Sequence, residues 1–437
     1  MKIYRYAIAL IIGFITIIFL AKPAWAFCGF YVAKAERSLY NKASQVIIAR
    51  NGDRSVLTMA NDYQGNVKDF AVVVPVPVIL EPGQVQVGNP TILERLDAFS
   101  APRLVEYFDE NPCGFAIKPE EMMRQTRGAS LPVSPANQQN SALGVTVEKQ
   151  FTVGEYDIVI LSARESDGLE TWLKQNNYKI PQGASQLLQP YIREGMKFFV
   201  AKVNLQEYAD AGFKSLRPLM MAYESPKFRL PIRLGMANAK NDQDLIVYLL
   251  SPQGQAELTN YRTVKVPSDV EIPEFVKQDF NNFYQSMFET AYEKTGKKVA
   301  FLEYAWDMGN CDPCSAQPLN IDELRQAGVF WLDSSRLSNI FITRLHIRYT
   351  RDKFPEDLQF QETANRQSFQ GRYIIRHPFQ EEVSCKEAQN YYNSVKERQE
   401  KEAQTLAKLT GWNLDEIRSK INFVSTKSKE WWRGFGR

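Results

Sequence analysis

Residues 297–333 read KKVAFLEYAWDMGNCDPCSAQPLNIDELRQAGVFWLD, and the fold class turns on them. The apolar run Val299–Trp306 has the length and continuity of a strand buried on both faces. A tight turn carrying Cys311-Asp312-Pro313-Cys314 follows. Asn320, with Glu323 three residues on, has the spacing of a capping box, so a helix is expected to start at Ile321.

Outward from this stretch the pattern alternates between strand and helix. Towards the C-terminus, NIFITRLHIRYT at 339–350 alternates cleanly. Phe341, Thr343, Leu345, Ile347 and Tyr349 share one face; Ile342, Arg344, His346 and Arg348 share the other. A further β segment, Arg372–Arg376, precedes charged helices over Lys386–Leu409 and a short helix at Asn413–Ile421. Towards the N-terminus, Pro273–Lys294 reads as the longest helix of the middle section, its face formed by Phe275, Phe280, Phe283, Met287 and Tyr292. Core packing accounts for such a stripe better than a ligand box does.

The earlier chain is mostly strand. Ser44–Arg50 and Ser55–Asn61 flank Asn51-Gly52, a hairpin signal. In DFAVVVPVP, residues 69–77, the valines suggest burial on both faces, while Pro75 and Pro77 end the strand or set it at an edge. Thr91–Phe99 reads as a helix, and Arg103–Phe108 as a short continuation of it. Val145–Ala163, broken at Gly154-Glu155, returns to sheet, and Ser166–Asn176 reads as a capped helix. Lys197–Asn204, Arg217–Tyr223, Asp244–Leu250 and Tyr261–Val266 continue the strands. Residues 125–141, rich in Ser, Pro, Asn and Gln, read as an exposed loop. The expected fold is α+β, with mixed or mainly antiparallel sheets, covering helices and a helical C-terminal tail. Its expected divisions are a leader at 1–26, a β-rich region at 27–294, a CxxC-containing segment at 295–385 packing on it, and the tail at 386–437.

The leader follows from Lys2 and Arg5, the apolar run Ala7–Ala21 and the small residues of Ala24-Trp25-Ala26, which together have the form of an export signal. That run is about 22 Å long as a helix, short of a hydrocarbon core of about 30 Å, so cleavage is favoured over retention as an anchor. Phe27 before Cys28 is too large for a lipid-attachment site. The mature chain is thus expected to be exported, periplasmic or extracellular, with no transmembrane segment apart from an uncleaved leader.

The chain has 53 Lys and Arg against 50 Asp and Glu; loss of Lys2, Arg5 and Lys22 with the leader balances the two. No stretch concentrates basic residues with aromatics, so nucleic-acid binding is not expected.

Five cysteines remain after the leader: Cys28, Cys113, Cys311, Cys314 and Cys385. Export favours pairing among them, in arrangements that spacing alone leaves open. Structural disulfides are the preferred reading. The alternative is a thiol–disulfide oxidoreductase using Cys311 and Cys314, because a CxxC turn feeding a helix can stabilise a thiolate. Against it, Cys311 lies about ten residues before the helix, Asn310 replaces the usual aromatic, and no compact βαβ unit surrounds the motif. A metal site is not expected, since His346 and His377 have no metal-ligand spacing to a cysteine or to each other.

Arg344, His346 and Arg348 could form an anion-binding face, joined by Arg376 and His377. Neutralisation by Glu356, Asp357 and Glu362 is the preferred account. Hydrolase, P-loop and dinucleotide signatures are absent, so no catalytic residue and no cofactor is expected. A hydrolase built on two facing carboxylates has no supporting motif.

Several motifs occur together: FCGFYVAKA at 27–35, VVVPVPV at 72–78, NPCGF at 111–115, RLPIRLGM at 229–236, CDPC, TRLHIRYTRDKFPEDLQFQET and FQGRYIIRHPF at 369–379. With them the chain, from Phe27 to about Trp412, resembles a family of exported bacterial proteins termed domain of unknown function 2330. The resemblance implies that the four cysteine regions belong to one design, and it brings no activity, ligand or catalytic residue. The functional expectation is a non-catalytic exported binding or structural protein of the envelope, stabilised by disulfides, with an envelope protein or ligand as partner.

Overall fold

The computed structural model describes residues 30–33, 40–41, 44–60, 63–64, 70–113, 145–176, 183–210, 216–237, 242–310, 316–332, 340–381 and 385–424. The leader, Cys28, the 125–141 stretch, Cys311, Cys314 and the terminal Trp431-Trp432 lie outside the described residues.

The Asn51-Gly52 signal is answered by an antiparallel hairpin, Ser44–Asn51 with Arg54–Ala60, and Gly52 takes φ +61° at the turn. That left-handed conformation suits glycine, which has no Cβ to clash. The hairpin lies inside the largest sheet. In spatial order its strands are Arg262–Lys265, Val299–Asp307, Phe341–Tyr349, Gln243–Ser251, Ser44–Asn51, Arg54–Ala60, Leu219–Glu224 and Val85–Val87, with Phe369–Gln370 pairing on Val299–Asp307. Two pairings are parallel, Gln243–Ser251 with Ser44–Asn51 and Arg262–Lys265 with Val299–Asp307; the others are antiparallel. Strands from either side of residue 295 are thus adjacent in one sheet.

A second sheet, wholly antiparallel, runs Phe30–Ala33, Phe70–Val76, Lys197–Val203, Tyr156–Ala163, Val145–Val153. The inner faces of the two sheets meet in the main core, where Val72, Val74, Ile158 and Phe199 pack with Val46, Val247, Leu302 and Leu345. Pro75 fits within Phe70–Val76 because the Phe30–Ala33 partner pairs only as far as Val73, leaving no ladder bond for its missing N–H.

Helices cover both outer faces. Ser166–Gln175 and Ala184–Arg193 close the second sheet with Leu169, Leu173, Leu188 and Tyr191 against Val73 and Phe198. Over the large sheet lie Thr91–Ser100 and Ile321–Gln326 on one part, and Phe280–Lys294, backed by Ala388–Thr410, on the other. The result is four layers, helix–sheet–sheet–helix, with the α+β character expected from sequence. Asn320 does cap its helix: its side chain accepts from Glu323 N while Glu323 accepts from Asn320 N. Just beyond that helix, Gly328 has φ +92°, and a Cβ there would lie 2.6 Å from Val56 Cγ1. Only glycine brings this turn down onto the hairpin.

Two expectations need correction. Arg103–Phe108 is a strand, not a continuation of the preceding helix, and it runs parallel to Arg372–His377 in a small sheet completed by Val270–Glu271. Pro102 explains why the helix stops, since the residue before a proline is pushed out of the helical region and Ala101 is extended (ψ 149°), and pairing with Arg372–His377 makes the next segment a strand. In the Ser166 helix, Ser166 is already the first helical residue, and Glu165 before it makes no side-chain cap bond. Ala184–Arg193, with Pro190 inside it, was not expected as a helix.

Candidate functional site

The alternation of Phe341–Tyr349 places Arg344, His346 and Arg348 on the outer face of the large sheet, beneath the helix Phe280–Lys294. Cross-strand register sets Asp244 opposite Arg348 and Tyr248 opposite Arg344. On the other side, Phe301 faces His346 and Tyr304 faces Arg344, and the register shifts between Leu302 and Tyr304. Glu303 is the extra residue of this bulge. Leu302 and Ala305 still point into the sheet–sheet core, while Glu303 joins Tyr304 on the outer face. A bulge re-aims a side chain, and here it aims a carboxylate at two cations, Arg344 and His346.

The contacts are dense. His346 Nδ1 lies 2.8 Å from Glu303 Oε1, and its Nε2 3.2 Å from Asp244 Oδ1. Arg344 donates to Glu303 Oε2 at 2.6 Å and to Asp97 Oδ1 at 2.7 Å. Arg348 forms a fork on Asp244 (2.9 and 2.8 Å) and also pairs with Glu289. Tyr284 donates its hydroxyl to Glu303, and Tyr248 donates to Asp97 at 3.1 Å. Above them the Phe288 ring stacks on His346 at 3.9 Å between centroids. Tyr284, Phe288 and Tyr292, four residues apart, form the stripe that covers these charges.

Burial alone would keep the Glu303 and Asp244 carboxyls protonated. The charge of Arg344 and His346 on Glu303, and hydrogen bonds from His346 and Arg348 on Asp244, reverse this and bring each down to about 2. Burial likewise opposes a charged His346, yet Glu303 and Asp244 raise it to about 9. At neutral pH the ring is an imidazolium clamped between two carboxylates.

The three cations are therefore satisfied, but not by the acids expected. Asp357 accepts from Tyr191 (2.6 Å) and from the Ile232 and Arg233 amides. Glu362 accepts from Ser251 at 2.6 Å, and Glu356 from Asn260 at 3.3 Å. The partners actually used are Asp97, Asp244, Glu289 and Glu303, all distant in sequence. One signal for Glu303 was available: a single acid inside VAFLEYAW must find a buried partner. Arg376 and His377 stand apart from this cluster. Arg376 bonds Glu271 at 3.0 Å, and His377 bonds Glu106 at 2.8 Å and stacks on the exposed Phe108.

An open site lies elsewhere, between the small parallel sheet and the long helix Ala388–Thr410. A cleft of about 420 Å³ is lined by Val270, Glu271, Arg398, Lys401, Glu402 and Thr405, among others. Asp109 anchors one side: it accepts from Arg398 (2.8 Å) and Tyr391 (2.8 Å), with Arg376 at 3.8 Å. Glu402 is 5% exposed, and its Oε1 has no hydrogen-bond partner; the nearest cation, Arg398 Nε, is 3.5 Å away. Burial pushes this carboxyl up to about 7, with Arg398 opposing and Glu271 and Asp109 adding to the rise.

Four residues after Asp109, Cys113 is bonded to Cys385, which lies just before the same helix; their Cα atoms are 5.8 Å apart. The disulfide and the Asp109 contacts thus hold the two walls of the cleft together. Among the described residues no group of three or more His, Cys, Asp or Glu side chains could hold a metal ion. Among the same residues no helix is long and apolar enough to cross a membrane.

A family model, described as an uncharacterized protein conserved in bacteria (DUF2330), matches residues 22–361. The chain belongs to DUF2330. No curated protein and no solved structure matches it. The match contains the whole Glu303–His346–Asp244 network of this DUF2330 member. It ends before Arg372–His377, Cys385 and the helix that carries Arg398 and Glu402, so it is shorter at this end than the resemblance drawn from sequence.

Proposed function

We propose that this DUF2330 protein is an exported binding or structural protein of the bacterial envelope, held together by disulfides and without catalytic chemistry of its own. The observation that carries the reading is the Cys113–Cys385 bond. Such bonds persist in oxidising compartments, and the first 26 residues have the form of an export signal. Two further features support a binding or structural role. The cations of the sheet are neutralised within the fold, and the cleft beside the disulfide has a covalently fixed wall.

Alkylation of thiols in intact cells, followed by fractionation and peptide mapping, tests this. The expected result is Cys113 linked to Cys385 in protein released with the periplasm or medium and lacking residues 1–26. Free Cys113 and Cys385 thiols in leader-bearing cytosolic protein would overturn it. The same map assigns Cys28, Cys311 and Cys314, on which thiol-exchange chemistry would depend.

A further inference from the structure

We propose that the Cys113–Cys385 bond is a reversible thiol-exchange switch. Its reduction by an external dithiol releases the first half of the helix Ala388–Thr410 and opens the cleft between that helix and Val270–Glu271. This adds regulation to the binding reading above and rests on it.

The helix is held in two ways along its length. In its second half, Ala403 and Leu406 belong to the core built on Phe283, Met287 and Tyr373, with Ala407 and Leu409 packed against it. In the first half, Ala388 and Val395 are buried but stand outside that core. There the ties converge on the short segment that follows Arg103–Phe108. Asp109 accepts from Tyr391 and from Arg398, each at 2.8 Å, and Cys113 is bonded to Cys385. The Tyr391 hydroxyl also accepts from Phe379 N at 2.7 Å. With the covalent tie cut, such hydrogen bonds hold the segment 388–402, and each is modest in net terms. A helix of about fifteen residues with little apolar support is marginal in water. The cleft lies along this weaker half, with Ser394, Glu397, Arg398 and Lys401 on its helical wall.

The bond is placed for exchange in the folded protein. Cys113 is exposed and Cys385 half-buried, so attack from solvent falls on Cys113. Cys385 precedes the helix, its carbonyl accepting from Ala388 N at 3.2 Å, so its thiolate leaves beside the positive end of a 23-residue helix. One thiolate of the dithiol attacks Cys113 Sγ. A mixed disulfide forms, the Cys113–Cys385 bond breaks, and Cys385 leaves. The second thiolate then attacks the dithiol's own sulfur in the mixed disulfide and frees Cys113. The dithiol is oxidised by two electrons, the cystine is reduced by the same two, and the dithiol's two protons end on Cys113 and Cys385.

Two measurements on the purified full chain, without denaturant, test this. In the first, brief exposure to glutathione is quenched with acid and the mixed disulfide is mapped by mass spectrometry. Glutathione should be found on Cys113. Equal or greater labelling of Cys385, or no reaction until denaturant is added, would overturn the exchange site. In the second, trypsin is applied before reduction with dithiothreitol, after it, and after reoxidation with oxidised glutathione. Cleavage after Lys396 and Lys401, both exposed in the first half, should speed up by at least about tenfold on reduction, since cleavage follows the open population. Cleavage after Lys408, in the seated half, should not change, and reoxidation should restore resistance. Equal acceleration at all three lysines would make the bond a global staple, and no acceleration would leave the helix bound without it; either result overturns the switch. Cys113→Ser/Cys385→Ser should behave as the reduced protein does, which separates loss of the bond from side effects of the reductant. Protein found at the outset with free Cys113 and Cys385 would overturn both this proposal and the reading it rests on. A bond that is present but fails these tests overturns the switch alone.

Discussion

Glu303 occupies the one extra position in Val299–Asp307, and its carboxylate lies 2.8 Å from His346 Nδ1 on the neighbouring strand. The pair, with Asp244 on the far side of the ring, turns a sheet face into a buried electrostatic junction under Phe288.

That junction makes stability depend on alkali. His346 has a folded pKa of about 9 against an ordinary value of 6.5, so its contribution is fully present below about 6.5 and is lost as pH rises through about 9. Urea midpoints should therefore fall between about pH 6.5 and 9, and His346→Gln should flatten that limb. In acid the sign reverses. Glu303 and Asp244, both depressed to about 2, contribute above the usual carboxylate range and lose that contribution as pH falls towards 2. An imidazole resonance of His346 that titrates near 6.5 would sink the assignment.

Removing Glu303 should be more damaging than removing a surface acid. Glu303→Gln leaves Arg344 and His346 buried with a weaker partner, a defect of about 3–5 kcal/mol for buried pairs. Glu356→Gln, at an exposed carboxylate that accepts from Asn260 at 3.3 Å, should stay within about 0.5 kcal/mol. Equilibrium denaturation of the two variants side by side separates them.

Reduction should loosen the protein locally before it unfolds globally. Loss of Cys113–Cys385 is expected to cost about 2–5 kcal/mol. The first turns of Ala388–Thr410, next to Cys385, should lose protection first. Hydrogen exchange with and without reductant, and on a Cys113→Ser/Cys385→Ser variant, measures this; uniform protection in both states would contradict it.

Glu402 gives the opposite response from Glu303. Its folded pKa of about 7 exceeds the ordinary 4.5, so the fold binds a proton that the unfolded chain releases. Stability should decline as pH rises from about 4.5 to 7, and Glu402→Gln should abolish this slope and match or exceed the wild type at about pH 8. A destabilised Glu402→Gln with the slope intact would show that the carboxylate is well paired after all.

The sequence was most informative where a local rule decides the structure. Asn51-Gly52 requires positive φ and makes its hairpin; Asn320 and Glu323 satisfy each other's amides; the alternation over 341–349 sets two faces without knowledge of what covers them. It misled at Arg103–Phe108, where Leu104 and Val105 suit a helix or a strand, and Tyr373 and Ile374 of the distant partner strand decide. The charge network was half visible. Arg344, His346 and Arg348 declare themselves on one strand, but Asp97 and Asp244 are brought to them by pairings and packing over long sequence distances. Glu402, in a helix full of Glu and Lys, looks like any solvated acid until the small sheet is laid against it.

The disulfide has a topological consequence. Joining residues 272 apart closes the chain from 113 to 385 into a covalent ring. The hairpin Ser44–Ala60 is outside that ring, yet in the large sheet it lies between two of the ring's strands, Gln243–Ser251 and Leu219–Glu224. The disulfide therefore ties the ends of a loop whose own strands close on both edges of a hairpin from outside it, so the large sheet is shared between the ring and the chain that precedes it.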